Sequence, residues 1–204
     1  MREVLGEALV SASASSTSDG TVYDDVLGSV GALQRTLYRS AKSDPDRRFH
    51  SLYDKCFRPD VLGAAWWAVR SNNGAPGVDG VRLIDVENSG VTAFLDDLAA
   101  ELRAKTYRPK PLRRVEIPKP GQPGKFRPLS IPCVRDRVIM AAAKIVLEPI
   151  FEADFLPVSF GFRPKRSTFM ALGAVREEVS RGAQWILDAD VSDCLESDSY
   201  CLLG

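Results

Sequence analysis

A short apolar segment near the end of the sequence carries three carboxylates within six residues. Residues 184–191 (QWILDADV) predict a buried strand, and Asp188 and Asp190 point to one face of it because they are two residues apart. Asp193 follows directly. Magnesium prefers oxygen ligands and is commonly held by carboxylates together with substrate phosphates, so the pattern is compatible with two-metal phosphoryl transfer. The simpler alternative is a solvated strand end before a helix N-terminus, where aspartate is also favoured.

Basic residues surround a second feature, which is a predicted hairpin. Residues 112–117 and 126–131 alternate like strands, and the sequence PKPGQPGK between them predicts a tight turn. Lysine and arginine on such a hairpin can bind phosphate groups, whereas a charged edge hairpin without a ligand is the alternative. The basic residues are Arg113, Arg114, Lys119, Lys125 and Arg127.

Aromatic and basic residues alternate in a third segment, residues 159–167 (SFGFRPKRS). Its basic residues, Arg163, Lys165 and Arg166, precede a predicted helix and can grip a nucleic-acid backbone. The alternative interpretation places Phe160 and Phe162 in the core.

The net charge of zero hides an uneven distribution. Residues 1–100 carry 10 basic and 14 acidic side chains (net −4), residues 101–166 carry 15 and 6 (net +9), and residues 167–204 carry 2 and 7 (net −5). A basic middle third is typical of a protein that binds a polyanion, and also of a solvated basic face with no partner. The single histidine and the absence of a CxxC pair give no support for a zinc site or a Ser-His-Asp triad.

Helical spacing and chain-breaking residues position these three features. We predict a disordered arm, then helices over 24–42, over 49–70 with an interruption at Pro59, over 91–104, from Val134 to the residue before Pro149, and over 167–180. No apolar run approaches the length of a membrane span and no signal peptide begins the sequence, so we expect a soluble, cytoplasmic protein with no membrane partner.

Seven segments, taken together and in this order, resemble the group II intron-encoded reverse transcriptases. They are LQRTLYRSAKSDPDRRFHSLYDK, NNGAPGVDG, TYRPKPLRRVEIPKP, FRPLSIPCVRDRV, VLEPIFEADF, SFGFRPKRST and WILDADVSDC. The resemblance implies an α+β, helix-rich right-hand polymerase fold, of which this chain supplies the fingers, with a short antiparallel basic hairpin, and the start of the palm. The implied domains are an arm (1–23), a helical N-terminal extension and fingers (24–106), fingers and upper palm (107–182), and the first palm strand (183–204).

The resemblance also assigns roles to individual residues. Asp190 matches the catalytic aspartate that binds Mg²⁺, and the backbone carbonyl of Val191 is expected to add a metal ligand. Lys119 and Arg127 match contacts to the triphosphate of the incoming dNTP. Leu195 occupies the position of an aromatic residue that excludes ribonucleotides, which is a departure from the family. The residues expected to contact the RNA template and the DNA primer are Arg113, Arg114, Lys125, Arg163, Lys165 and Arg166.

The implied function is RNA-directed DNA polymerisation, in which deoxynucleotides are added to a primer 3′-hydroxyl on an RNA template, together with assistance in splicing and mobility of a group II intron. The second catalytic motif of the family, a Tyr-Ala-Asp-Asp turn, does not occur in these 204 residues. We therefore expect a truncated, inactive fragment. A non-catalytic RNA-binding module and a functionless relic are the alternatives.

We predict that the purified 204-residue chain does not extend a DNA primer on an RNA template in the presence of magnesium and dNTPs. Two-metal transfer requires carboxylates from both motifs to hold the ions. Primer extension measures this directly. Robust synthesis that Asp190→Asn abolishes would contradict the prediction.

Overall fold

The fold was analysed in a computed structural model, which describes residues 19–122 and 124–189, with side chains described from residue 28 onward. The chain divides into two units, Met1–Phe155 and Leu156–Gly204. The elements of the first unit are α1 (Asp19–Ser43), α2 (Tyr53–Cys56), α3 (Pro59–Asn72), α4 (Leu83–Ser89), α5 (Val91–Ala104), β1 (Arg113–Pro118), β2 (Phe126–Ile131) and α6 (Val134–Asp154). The second unit contributes α7 (Thr168–Ser180).

Helix α6 lies at the centre of the first unit, where it packs on α1 and α3. Its buried side chains recur every four residues, at Val134, Val138, Ala142 and Val146, so they form one apolar stripe. Residues of α3 meet this stripe, and Leu62 is almost fully buried in the shared core. On its other side α3 contacts α5.

Local sequence signals account for most helix boundaries. Pro59 occupies the first turn of α3, where its missing N–H is tolerated, and Asn73 ends the helix in the left-handed conformation at φ 43°. Ser167 caps α7 by accepting a hydrogen bond from the Met170 N–H at 3.3 Å. The predicted helix over 91–104 and the break at Pro59 are thereby confirmed.

The predicted end of α6 before Pro149 is wrong, because the helix continues to Asp154. A proline inside a helix leaves the carbonyl four residues earlier without its N–H partner. Here the Gln34 side-chain amide of α1 donates to that carbonyl, which belongs to Ile145, at 3.2 Å. Lys42, also in α1, donates to the Ala153 carbonyl near the helix end at 3.0 Å. Helix α1 therefore completes the hydrogen bonding of α6.

Three further elements differ from the sequence predictions. Helix α1 begins at Asp19, five residues before the predicted start, and the remainder of the predicted arm lies outside the described residues. Helix α4 was not predicted, since its seven residues are too short for a clear helical period. Residues 184–189 do not form the predicted buried strand: they carry no regular secondary structure, and Trp185, Ile186 and Leu187 are exposed.

The physical reason for this last difference is that a strand is stable only when a neighbouring strand satisfies its backbone groups. Within the described residues, the only sheet is the two-stranded pair of β1 and β2. None of the helices in the same part of the chain combines the length and the apolar character needed to cross a membrane.

We predict that Gln34→Ala lowers the free energy of unfolding by about 1–3 kcal/mol, because it leaves the Ile145 carbonyl unpaired. In a Pro149→Ala background the backbone N–H of residue 149 is restored, so the same change is expected to have a smaller effect. Urea denaturation of the four proteins in this double-mutant cycle measures the difference. Equal losses in both backgrounds would show that Gln34 does not replace the missing bond.

Candidate nucleotide and nucleic-acid interface

The hairpin of β1 and β2 gathers basic side chains at one end of one face. The strands are antiparallel, with Arg113 opposite Ile131 and Ile117 opposite Arg127. Directly opposed residues share a face, and faces alternate along each strand. One face therefore carries one apolar pair, Val115 with Leu129, in its middle, and each end pair combines an isoleucine with an arginine.

Lysines extend this face beyond the strands. The Lys119 N–H donates to the Lys125 carbonyl at 2.9 Å, which continues the pairing by one residue on each side. Lys119 and Lys125 are thus opposed to each other on the face that carries Arg127, and all three are exposed. We call these three residues the tip cluster. Within the described part of the chain, none of the three forms an ion pair.

The structure separates the other two basic residues of the hairpin from the tip cluster. The Arg113 guanidinium donates to the Pro76 carbonyl at 3.2 Å, so this side chain secures the hairpin to the preceding loop. Arg114 lies opposite Ser130 on the other face. Three of the five predicted residues thus come together at the turn.

A buried carboxylate holds the base of the hairpin. Asp136, in the first turn of α6, is only 4% exposed. It accepts hydrogen bonds from the Tyr107 hydroxyl at 2.5 Å and from the Lys110 N–H at 3.2 Å. The Arg135 guanidinium lies over the Tyr107 ring, 5.5 Å from its centroid, and pairs with Glu101. We call the contacts around this carboxylate the Asp136 node.

The loop between α3 and α4 packs against the same helix turn. Gly77 lies so close to Cys133 that a β-carbon would approach the Cys133 backbone nitrogen to 2.7 Å, so only glycine fits. Asp79 pairs with the Lys110 ammonium at 3.1 Å. The NNGAPGVDG motif has the composition of a turn. In the structure it packs between α6 and the segment that leads into β1.

The environment alters the acidity of two groups in this region. Burial, and then the hydrogen bond to Asp136, raise the pKa of Tyr107 far above its usual value, so the hydroxyl remains a donor at neutral pH. Burial acts to raise the pKa of Asp79, but hydrogen bonds from Lys110, the Cys133 thiol and the Val81 N–H outweigh it and lower that pKa. The stability that Asp79 contributes is present above the usual carboxyl pKa and is lost as the pH falls through the lowered value.

Comparison with known proteins identifies the family. Residues 117–197 match the reverse transcriptase (RNA-dependent DNA polymerase) family. The chain is 36% identical over 181 residues to protein YkfC of Escherichia coli K12, which covers 85% of this chain and 46% of that protein. It is 34% identical over 174 residues to the group II intron-encoded protein LtrA of Lactococcus lactis subsp. cremoris, which covers 85% of this chain and 28% of LtrA. This chain belongs to the group II intron-encoded reverse transcriptases.

A yeast relative is also named for an intron. The putative COX1/OXI3 intron 1 protein of Saccharomyces cerevisiae is 30% identical over 151 residues, which cover 71% of this chain and 17% of that protein. The chain spans less than half the length of each of these three relatives. The family resemblance predicted from the sequence is confirmed.

The basic loop of the second unit differs from the sequence expectation at one position. Arg163 is only 8% exposed, and its guanidinium donates to the carbonyls of Leu156 and Ser159. Its side chain therefore organises the loop and does not project toward a ligand. Lys165 is exposed, and the Arg166 guanidinium lies 5.6 Å from the centre of the Phe160 ring. Phe162 is fully exposed, which excludes the alternative that it is a core residue.

The predicted catalytic and metal-binding positions belong to the part of the chain that the structure does not describe. Asp190, Val191 and Leu195 lie outside the described residues. Within the residues that the structure does describe, no group of three or more His, Cys, Asp or Glu side chains is arranged to hold a metal ion.

Sequence reasoning did not find the Asp136 node. One signal was available, since an acidic residue in the first turn of a helix is favoured by the helix dipole. The partners Tyr107 and Lys110 lie 29 and 26 residues away in the sequence, and no local pattern links them to that aspartate.

We predict that Tyr107→Phe lowers the free energy of unfolding by about 1.5–3 kcal/mol, because it removes a hydrogen bond to a buried charge. Tyr53→Phe is a matched control, since the Tyr53 hydroxyl donates to the neutral Leu102 carbonyl at 2.7 Å. Its expected loss is about 0.5–1.5 kcal/mol. Chemical denaturation measures both values, and a smaller loss for Tyr107→Phe than for Tyr53→Phe would argue against the node.

Proposed function

We propose that this chain provides the fingers and the beginning of the palm of an RNA-directed DNA polymerase that also assists splicing and mobility of its group II intron. In this proposal the chain binds the RNA template, the DNA primer and the incoming dNTP. A cytoplasmic location, expected from the sequence, belongs to the same proposal. The observation that carries the proposal is the tip cluster, in which three exposed cations share one face of a hairpin within the family match.

The electrostatics of the tip cluster favour an anionic ligand. Like charges directly opposed across an antiparallel pair destabilise it, and Lys119 faces Lys125 in this way. A bound phosphate group relieves that repulsion. Arg127 adds a planar guanidinium that can bind phosphate through two hydrogen bonds, whereas the lysines act as point charges.

The base of the hairpin supports this role. A cluster that must meet a triphosphate needs a fixed position, and binding groups act best when their supporting contacts are rigid. The Asp136 node and the Pro76 contact fix the start of β1, while β2 leads almost directly into α6. We assign Lys119 and Arg127 to the triphosphate and Lys125 to the nucleic-acid backbone.

The proposed metal is Mg²⁺, bound by the Asp190 carboxylate and the Val191 backbone carbonyl. Both groups are oxygen donors, which is the ligand type that Mg²⁺ requires. When bound, the ion would neutralise charge on the transferring phosphate and activate the primer 3′-hydroxyl.

Salt-dependent RNA binding tests the proposal. The logarithm of the affinity for single-stranded RNA falls with the logarithm of salt concentration, with a slope of about −0.7 for each phosphate neutralised. We expect Lys125→Gln to reduce the size of this slope by about 0.7, because Lys125 is the residue of the tip cluster assigned to the nucleic-acid backbone. Filter binding of a mixed-sequence RNA at several salt concentrations measures it.

A charge-matched control separates local contacts from net charge. Lys144→Gln removes the same charge from helix α6, where the side chain is already paired with Glu148. This control should leave the slope near the wild-type value. An equal reduction in both variants would mean that binding follows total charge and that the tip cluster is not the contact surface.

A further inference from the structure

Residues 156–167, which precede α7, form a loop built around one arginine. The Ser159 N–H donates to the Leu156 carbonyl at 3.0 Å and closes a first turn. The Arg163 guanidinium then donates to the Leu156 carbonyl at 2.8 Å and to the Ser159 carbonyl at 2.7 Å, which are the two ends of that turn. A buried cation thus ties the later part of the loop to the earlier part.

A second turn follows immediately and projects a lysine outward. The Arg166 N–H donates to the Arg163 carbonyl at 3.3 Å, with Pro164 and Lys165 between them. Lys165 has a φ of +58°, and proline followed by a residue with positive φ is the pattern of a type II turn. Glycine or asparagine is usual at that third position, so the lysine is placed there against local preference.

Phe162 lies between the two turns and is fully exposed, with a φ of +54°. Residues other than glycine rarely adopt a positive φ. The neighbouring Gly161 does not have one, so the strained conformation falls on the phenylalanine. Phe160, two residues earlier, is half-buried under the Arg166 guanidinium. The loop therefore packs one aromatic side chain and holds the other in solvent by means of a strained backbone.

We propose that Phe162 is a stacking platform for an unpaired nucleobase and that Lys165 contacts a phosphate beside that base. The proposal deepens the proposed function, because it names the form of nucleic acid that this loop selects. An aromatic ring offers every base the same π-face, so stacking adds affinity without sequence preference. A base inside a duplex is already stacked on its neighbours, so the platform selects single-stranded RNA or DNA.

The charges around the ring favour nucleic acid over a protein partner. Besides the buried Arg163, the loop carries the basic side chains of Lys165 and Arg166, and residues 156–167 contain no acidic residue. An aromatic side chain beside basic groups is the composition of single-strand binding surfaces, whereas the cores of protein interfaces are depleted in charged residues.

The test compares Phe162→Gly with the wild-type 204-residue chain. Glycine removes the ring and also relieves the strain at positive φ, so the variant should be at least as stable as wild type in thermal unfolding. Its affinity for a single-stranded oligoribonucleotide should fall about 5- to 150-fold, the range expected for one base–aromatic stack. Its salt slope should stay unchanged, whereas Lys165→Gln should reduce the slope by about 0.7.

Two control variants sharpen the test. Phe162→Trp keeps an aromatic face and should retain the wild-type affinity, while Phe169→Ala removes another exposed phenylalanine, on α7, and should have no effect on affinity. Duplex RNA of equal length should bind the wild type and Phe162→Gly alike.

Wild-type affinity of Phe162→Gly for single-stranded RNA would overturn the proposed platform. If the tip-cluster variant Lys125→Gln still altered the salt slope, the proposed function would stand without the stacking platform. Unchanged RNA affinity accompanied by altered self-association in sedimentation would assign Phe162 to a protein contact instead.

Discussion

The geometry of the first unit depends on one buried charge, the carboxylate of Asp136. A carboxylate that is removed from water is stable only when hydrogen bonds replace its hydration. The Tyr107 hydroxyl and the Lys110 N–H supply those bonds, and both belong to the segment that leads into β1. Movement of the hairpin base would expose this carboxylate to solvent or remove its hydrogen-bond donors. The position of the tip cluster is therefore set by a contact near its base and not by the hairpin itself, which is too small to be rigid alone.

This arrangement divides stability and function between two ends of one hairpin. At the base, charges are paired: Lys110 with Asp79, and Arg135 with Glu101. At the turn, cations are opposed to one another and exposed to solvent, which costs some stability in the unliganded chain. In the proposed function, a bound phosphate group resolves this conflict. The paired base lets the fold tolerate the repulsion at the turn, because loss of a few tenths of a kcal/mol there does not loosen the anchored end.

Sequence reasoning succeeded where the determining signal is local. Alternation and turn residues predicted the hairpin, and the helical spacing of apolar residues over 91–104 predicted α5. It failed where a distant group decides the outcome. Pro149 suggests a helix end because the sequence near it does not reveal that Gln34, 111 residues before Ile145, supplies a hydrogen bond to the Ile145 carbonyl. The predicted strand at 184–191 depends likewise on a pairing partner, which a local pattern cannot provide.

The basic residues show a related limit: their number in the sequence does not tell which of them are available to a ligand. The net charge of +9 over residues 101–166 treats every lysine and arginine alike, yet Arg163 is buried against carbonyls and Arg137 donates to the Ala75 carbonyl. Such side chains stabilise loops, because their guanidinium groups donate to backbone carbonyls of the same chain. The tip cluster differs from these residues, because its three cations share one face of the hairpin and form no ion pair within the described residues. In the second unit, burial of one arginine is what frees the positions beside it, Phe162 and Lys165, to face solvent. A count of charges gives only the net charge of a segment, whereas the hydrogen-bond partners of each side chain show which cations remain available to a ligand.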